Sequence, residues 1–273
     1  MSGVKVIEKG NFKNMFILGD IHGDLKSLEN LLGKARKDDL IITLGDYADR
    51  GPQGVEVIRK ITDLQKDGRV IALKGNHEVY SKNGVPSFSP CDFIDEVCEK
   101  ETDWSTYFKK EFTPFVDSLY LAAIVPGQVL FVHGGVSSEI KTIDDIINNN
   151  YAKKAVLWAD PSNEDGEWVD PRSGRIKFGP DVTNKVCSNL NVDKVIRSHE
   201  PDLAEYTYHL SHSGKVLTTS STTCYGGNAF ALRIPFENID DIQVVYSDFA
   251  KKETVAKNAE APEWLKNAMK HRC

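Results

Sequence analysis

Met15-Phe-Ile-Leu-Gly-Asp20-Ile-His22-Gly is an apolar run, a glycine, and then two metal-binding side chains two residues apart. The pattern recurs in Leu40-Ile-Ile-Thr-Leu-Gly-Asp46-Tyr-Ala-Asp49-Arg50-Gly and in Val70-Ile-Ala-Leu-Lys-Gly-Asn76-His77-Glu78. It returns in Val129-Leu-Phe-Val-His133-Gly-Gly and Lys194-Val-Ile-Arg-Ser-His199-Glu200. Short apolar runs bounded by glycine suit strands buried on both faces. In an open α/β sheet, ligands collect just beyond the carboxyl ends of the strands. Asp20, His22, Asp46, Asn76, His133 and His199 would then meet at one rim. That donor set is enough for two metal ions, and a two-metal site points to hydrolysis of a phosphate ester.

Between the ligand segments the period changes. Leu25, Leu28, Leu31, Leu32 and Ala35 have helical spacing, which predicts a helix over Asp24–Lys37 with Asp24 as its cap. Val55, Ile58, Ile61 and Leu64 predict a second over Gln53–Lys66. Strand, ligand loop, helix thus repeats at least twice, as α/β units do. Residues 80–118 read as loop and helices. Later short strands are expected at 119–125, 129–133, 195–199, 217–221, 229–234 and 242–246. They suggest an antiparallel portion, so the fold is expected to be mixed. A short helix is expected after Pro262, with Trp264 and Leu265 facing inward, in a polar C-terminal tail.

The 273 residues allow one domain or two, but any cut between Asp20 and His199 would split the ligand set. One domain over 1–273, with its core at about 15–247, is the expectation. A net charge of -6 argues mildly against a nucleic-acid or anionic-membrane surface. No positively charged segment followed by an apolar stretch opens the chain, and no run nears the ~18 apolar residues of a membrane span. The cysteines, 5 in all with no Cys-x-x-Cys pair, suit reduced thiols in a cytoplasm.

Asp20 and His22 fall on one side of an extended segment, because strand side chains alternate. The two carboxylate oxygens of Asp46 suit it to bridge two ions. Asn76, His133 and His199 complete the second ion. A set mixing imidazole, carboxylate and amide oxygen favours Mn, Fe or Zn over Ca. Alone, each histidine would pass as a satisfied polar group, yet four of the 7 lie in these segments. His77 follows a ligand and is expected to be the general acid, its ring held by Asp49. A water bridging the ions, ionised near neutral pH, is the expected in-line nucleophile. Arg50 offers a planar fork to phosphoryl oxygens, or else an ion pair to a neighbouring acid. Glu78 is expected to brace a loop rather than take part in catalysis.

Gly-Asp-Ile-His-Gly, Gly-Asp-Tyr-Ala-Asp-Arg-Gly and Gly-Asn-His-Glu, in that order, resemble the signature of the phosphoprotein phosphatase family of Ser/Thr phosphatases. His133-Gly-Gly, Leu157-Trp-Ala-Asp160-Pro161 and Arg197-Ser-His199-Glu extend the likeness, which covers roughly residues 15–247. The resemblance implies a calcineurin-like metallophosphatase fold, a central β-sandwich flanked by helices. It implies a first ion on Asp20, His22 and Asp46, and a second on Asp46, Asn76, His133 and His199. Asp49 and His77 would be the acid pair and Arg50 a phosphate clamp. Counting back seven residues from Gly179 makes Arg172 the second clamp, with Arg175 its competitor, and Tyr225 would overhang the site. The implied activity is removal of phosphate from phosphoserine and phosphothreonine in proteins, with two divalent ions, Mn²⁺ first.

Departures limit what carries over. The loop after Tyr225 is only Gly-Gly-Asn, shorter and less acidic than in the eukaryotic enzymes, and 80–118 diverges. Toxin sensitivity and substrate preference are therefore not transferred, and no docking segment for a regulatory subunit is evident. The rival enzyme is a dinucleoside polyphosphate (diadenosine tetraphosphate) hydrolase, which resembles the family in the first three motifs. A dead phosphate-binding module should have lost a ligand or the acid, and every one is present. A purely structural metal site would be closed by four ligands and would not need His77, Asp49 and Arg50.

Overall fold

The computed structural model describes residues 3–101 and 103–251. In chain order its strands are β1 (Val4–Val6), β2 (Asn14–Leu18), β3 (Asp39–Thr43), β4 (Val70–Ala72), β5 (Ala122–Val125), β6 (Val129–Phe131) and β7 (Asp160–Pro161). They continue with β8 (Glu167–Val169), β9 (Ile176–Phe178), β10 (Lys194–Arg197), β11 (His209–Ser211), β12 (Val216–Thr218), β13 (Phe230–Pro235) and β14 (Gln243–Tyr246). The α-helices are α1 (Leu25–Gly33), α2 (Gly54–Lys66), α3 (Phe93–Lys100), α4 (Trp104–Tyr107), α5 (Thr113–Ser118), α6 (Ile143–Asn148), α7 (Asn150–Trp158) and α8 (Pro180–Leu190).

Two sheets face each other. One has the order β1-β5-β6-β10-β12-β11, the other β14-β13-β2-β3-β4, and a small third sheet has the order β7-β9-β8. Alternation along the strands explains the layers. Met15, Ile17, Leu40 and Ile42 point inward to meet Ala123, Val129, Phe131, Ile196 and Leu217 of the other sheet. Their neighbours Phe16, Leu18 and Ile41 point outward to Leu28, Val55, Ile58 and Phe93 on the helices. On the far side Ala122, Ile124 and Leu130 cover Ala152, Val156, Val182 and Val186. Both faces of β2 and β3 are therefore buried, as their unbroken apolar runs required. The fold is a mixed α/β sandwich flanked by helices.

Local differences have local causes. α1 stops at Gly33, short of Lys37, and Asp24 caps it by accepting from the Ser27 amide. α2 starts at Gly54, and its cap comes from elsewhere: the Glu96 carboxylate accepts from the Gly54 and Val55 amides. The antiparallel expectation holds for β13 against β2 and β14, and for β11 against β12. β12 also runs parallel to β10, so the sheet is mixed, as expected. α8 was not expected, although Pro180 in its first turn with Val182 and Val186 one turn apart is a helix signal. The helix expected after Pro262 lies outside the described residues.

Candidate active site

β2, β3, β4, β6 and β10 all end at one rim, and the six expected donors converge there. Asp20, His22, Asp46, Asn76, His133 and His199 are each at most 6% exposed. One ligand atom each from Asp46, His133 and His199 lie within 4.8 Å of one another, as do those of His22, Asp46 and His77. Asp46 faces both ways: Oδ2 is 3.6 Å from His22 Nε2 and Oδ1 is 3.4 Å from His133 Nε2. A carboxylate so placed can serve two ions at once.

The imidazoles are oriented from behind. His22 Nδ1 donates to Ala48 O at 3.0 Å and His133 Nδ1 to Leu44 O at 2.8 Å, which leaves each Nε2 lone pair facing the cluster. His133 Nε2 then confronts Asn76 Oδ1 at 2.9 Å and His199 Nδ1 at 3.2 Å. Asp20 Oδ2 is buried without a hydrogen-bond partner. Converging lone pairs and an orphaned carboxylate oxygen are what cations would satisfy, so the donors fit two divalent ions. The electrostatics agree. Burial, ahead of the opposing charges of Asp46 and Asp20, lowers His22, and burial with the His133 charge lowers His199 well below its ordinary value. Burial would raise Asp46, but the charges of His133 and His77 hold it well down. Burial would lower His133, yet Asp46 lifts it to about 9. In this balance protons compensate the acids, and bound cations would take their place.

The backbone is bent to bring these groups together. His22, Asp46, Asp49, Arg50 and His199 all have positive φ, from +48° to +72°. Each such non-glycine residue costs about 1 kcal/mol or more, held by the surroundings. Much of that restraint is Glu78, whose carboxylate accepts from the amides of Asp46 (3.0 Å), Tyr47 (3.0 Å) and Gly75 (2.8 Å). Burial and the Asp46 charge push it up to about 7, against those three amides. Gly75 is needed there: a Cβ would lie 2.1 Å from Asp46 Oδ1.

Beside the cluster stands His77. Its Nδ1 is 2.8 Å from Asp49 Oδ2, while Nε2 looks toward Asp46 Oδ2 at 4.0 Å. Asp49 Oδ1 in turn accepts from the amides of Asp92 and Phe93, where α3 begins, at 2.7 and 2.9 Å. Burial disfavours the charged imidazole, but Asp46 and the Asp49 bond raise its pKa overall. Arg50 is tied through Nη1 to Asp92 Oδ2 at 3.0 Å. Tyr225 stands over His22, its hydroxyl 3.4 Å from Nε2.

A model of the calcineurin-like phosphoesterase family matches residues 14–203. The chain belongs to that family. A serine/threonine-protein phosphatase of Caenorhabditis elegans is 29% identical over 221 residues, 77% of this chain but only 47% of that protein. The chain thus spans about half the length of that curated relative. Among solved structures, a Saccharomyces cerevisiae protein serine/threonine phosphatase superposes with a TM-score of 0.72 at 23% identity, over 92% of this chain and 85% of the other. A putative diadenosine tetraphosphatase gives 0.54 at 15% identity, over 92% and 100%. At these identities both likenesses concern the fold. Membership in the calcineurin-like family implies divalent metal ions, which the donor set above fits.

Within this phosphoesterase site one expected residue is misplaced. Arg172 lies exposed at the apex of a tight turn, where Gly174 N donates to Asp170 O and Asp170 N to Arg175 O. That turn places Arg175, not Arg172, at the foot of β9, where it reaches inward. Arg175 Nη1 is 3.4 Å from Asp160 Oδ2, and Asp160 Oδ1 is 3.7 Å from His199 Nε2. Of the two arginines, Arg172 and its competitor Arg175, it is Arg175 that lies beside Asp160, while Arg172 is exposed on the turn. Arg197 and Ser198, beside His199 in the same motif, also support the site. Arg197 is fully buried and bonds Glu200, Asp160 and Gly134 O. Ser198 Oγ accepts from the Asp20 amide and donates to Thr219 O, which joins the two sheets beneath the ligands. Asp92, and Phe88 whose ring lies 4.2 Å from that of His77, come from the 80–118 stretch, and spacing alone offered no signal for either.

Proposed function

We propose that this chain is a metal-dependent phosphomonoesterase that hydrolyses phosphoserine and phosphothreonine in proteins. The observation that carries this reading is the juxtaposition of the shared-carboxylate donor cluster with the His77–Asp49 pair. A structural metal site has no use for an oriented imidazole beside its ligands. Asp20, His22 and Asp46 would hold one ion, and Asp46, Asn76, His133 and His199 the other, with Mn²⁺ the first choice and Fe or Zn the others. When bound, two such cations supply positive charge that acidifies a water and polarises a phosphoryl oxygen. Arg50 and Arg175 draw the phosphoryl group in and align it, and Tyr225 covers the open side. His77, with Nδ1 fixed by Asp49, holds a proton at Nε2 for the leaving oxygen. The named relatives support protein substrates of the Ser/Thr class.

The reading extends to organisation and place. A single domain over 1–273 suits a donor set drawn from residues 20 to 199. Cytoplasmic location is supported by free thiols at Cys91, Cys98, Cys187 and Cys224. Among the described residues, no helix is long and apolar enough to cross a membrane. A dinucleoside polyphosphate hydrolase is the second reading. Arg175 on the Asp160 side favours a compact monoester over it, because a second cation near His199 suits the dianionic end group of a monoester.

Initial rates on a phosphothreonine peptide and on diadenosine tetraphosphate separate the two. Chelated protein should be inactive on the peptide and regain activity with Mn²⁺, and His77→Asn should lose roughly 10²-fold or more. Metal bound without peptide turnover, together with cleavage of the nucleotide, would overturn the protein-phosphatase reading.

A further inference from the structure

Tyr225 lies over the site with little packing to hold it. It is 36% exposed, and among the described residues its ring meets one other ring, that of His22, at 5.4 Å between centroids. Its hydroxyl is 3.4 Å from His22 Nε2 and also meets the Arg50 guanidinium, the group that would draw in a phosphoryl oxygen. The turn that carries it is tight: Gly226 N donates to Thr223 O at 2.9 Å, and Gly226 has a φ of +85°. Past the turn, Asn228 N donates to Glu205 O at 2.7 Å. Ahead of it stands Asp24. Asp24 Oδ2 accepts from the Thr223 amide at 2.9 Å and from the Thr223 hydroxyl at 2.7 Å. Asp24 Oδ1 accepts from the Ser27 amide at 3.1 Å as the cap of α1. Capping alone does not call for a carboxylate, since serine or asparagine caps a helix as well. Two donors converging on the second oxygen do call for one, because an ionised carboxylate only accepts.

We infer that Asp24 is the positioning residue for Tyr225: it clasps the Tyr225 turn to the loop that carries His22, and so sets how tightly the site holds a phosphoryl group. The inference rests on the phosphomonoesterase reading above and adds a residue to it. Asp24 touches no reacting group. It acts through Thr223, which is 199 positions away in the chain and two residues before Tyr225. With the clasp closed, the phenol is kept between His22 and Arg50. With it open, Thr223 loses both bonds to the His22 loop. Apart from the phenol itself, the turn is then tied to that loop by the weak thiol bond from Cys224 Sγ to His22 O, at 3.3 Å. A ring that is exposed and barely packed would swing out into water, and the phosphoryl group would lose a fixed hydroxyl beside Arg50. Because Asp24 also caps α1, one side chain fixes a ligand loop, a helix and the Tyr225 turn relative to one another.

Asp24→Asn and Asp24→Ser separate the two roles of the carboxylate. Asparagine keeps one oxygen but sets its NH₂ against a backbone donor, and serine caps α1 but falls short of Thr223. In the Mn²⁺-loaded protein, kcat/KM on a phosphothreonine peptide should fall roughly tenfold in both, mainly through KM, the scale of one charge-assisted hydrogen bond. Inorganic phosphate should bind more weakly by a similar factor. In Asp24→Ser, amide hydrogen exchange should quicken by roughly tenfold at Thr223 and hold steady at Ser27. Mn²⁺ affinity should change by less than about twofold, because His22 keeps its bond to Ala48 O. Thr223→Ser, which retains the hydroxyl, should match wild type. The deciding comparison uses Tyr225→Ala, which has no phenol to position: in that background Asp24→Ser should change kcat/KM by less than about twofold. An equal loss in both backgrounds would mean that Asp24 acts on the His22 loop or on folding, and would overturn the inference. So would unchanged phosphate affinity in both Asp24 variants, a result that leaves the parent reading intact. If wild type holds Mn²⁺ yet cleaves no phosphopeptide, the parent reading falls and this inference falls with it.

Discussion

The two rims of the site hold their ligands by different means. On the rim of β2, β3 and β4, the main chain is bent into positive φ at His22, Asp46, Asp49 and Arg50. One carboxylate, Glu78, gathers three amides to keep it so. On the rim of β6 and β10, His199 alone has positive φ, and charged side chains do the positioning. Arg197 links Glu200 to Asp160, and Asp160 also meets Arg175, Lys177 and His199. Amide-to-carboxylate wrapping is local and mostly self-contained. A buried ion network adds little net stability when complete and costs much when one member is removed. The first rim should therefore respond to mutation chiefly in metal affinity, the second in folding.

Arg197→Met tests the contrast most severely. It strands Asp160 and Glu200 next to apolar surface and should cost about 3–5 kcal/mol in urea denaturation. A loss below about 1 kcal/mol would mean that Arg175 and Lys177 suffice and that the second rim is not a network. Metal binding should bridge both rims. Mn²⁺ at a hundred times its Kd should stabilise the chain by about 2.7 kcal/mol, visible as a rise in Tm. Asp46→Asn should abolish most of that rise along with turnover; an unchanged rise would remove Asp46 from the ligand set.

Glu78→Gln is the counterpart on the first rim. The amide keeps one acceptor oxygen but turns its NH₂ toward a backbone donor, a cost of about 1–3 kcal/mol. Mn²⁺ affinity should fall about 10- to 100-fold, as for other groups that orient metal ligands. If this variant unfolds as readily as Arg197→Met, the contrast between the rims disappears. The smallest effect is expected from Asp92→Asn, which loosens a partly exposed pair with Arg50 worth about 1 kcal/mol or less. KM for a phosphopeptide should rise a few-fold with kcat nearly unchanged, and a purely kcat effect would instead implicate the Asp92 amide on Asp49.

The rim of β2, β3 and β4 was far more legible than the other. Its strands are continuous apolar runs, each followed by glycine and a ligand, with helical periodicity after two of them, so order along the chain matches order in space. On the other rim the ligands His133 and His199 could be read, but their support could not. Asp160 and Arg197 are 37 positions apart and meet only because the small β7-β9-β8 sheet folds against the end of β10. Between Arg172 and Arg175, only the folded turn from Asp170 to Arg175 shows that Arg175 is the one beside Asp160.

By itself the sequence determined which side chains can bind metal and that they end strands. A period of two or 3.6 residues sets the direction of a side chain from its near neighbours alone. It also pointed to the pairing of His77 with Asp49, which meet at 2.8 Å. Only the tertiary structure decided which arginine turns inward, that Glu78 gathers the amides of two loops, and that Phe88 packs against His77. Those contacts join residues 11 to 32 positions apart, and they depend on how two sheets and a divergent loop pack. Packing of that kind is a property of the assembled core, where the last few kcal/mol come from shape.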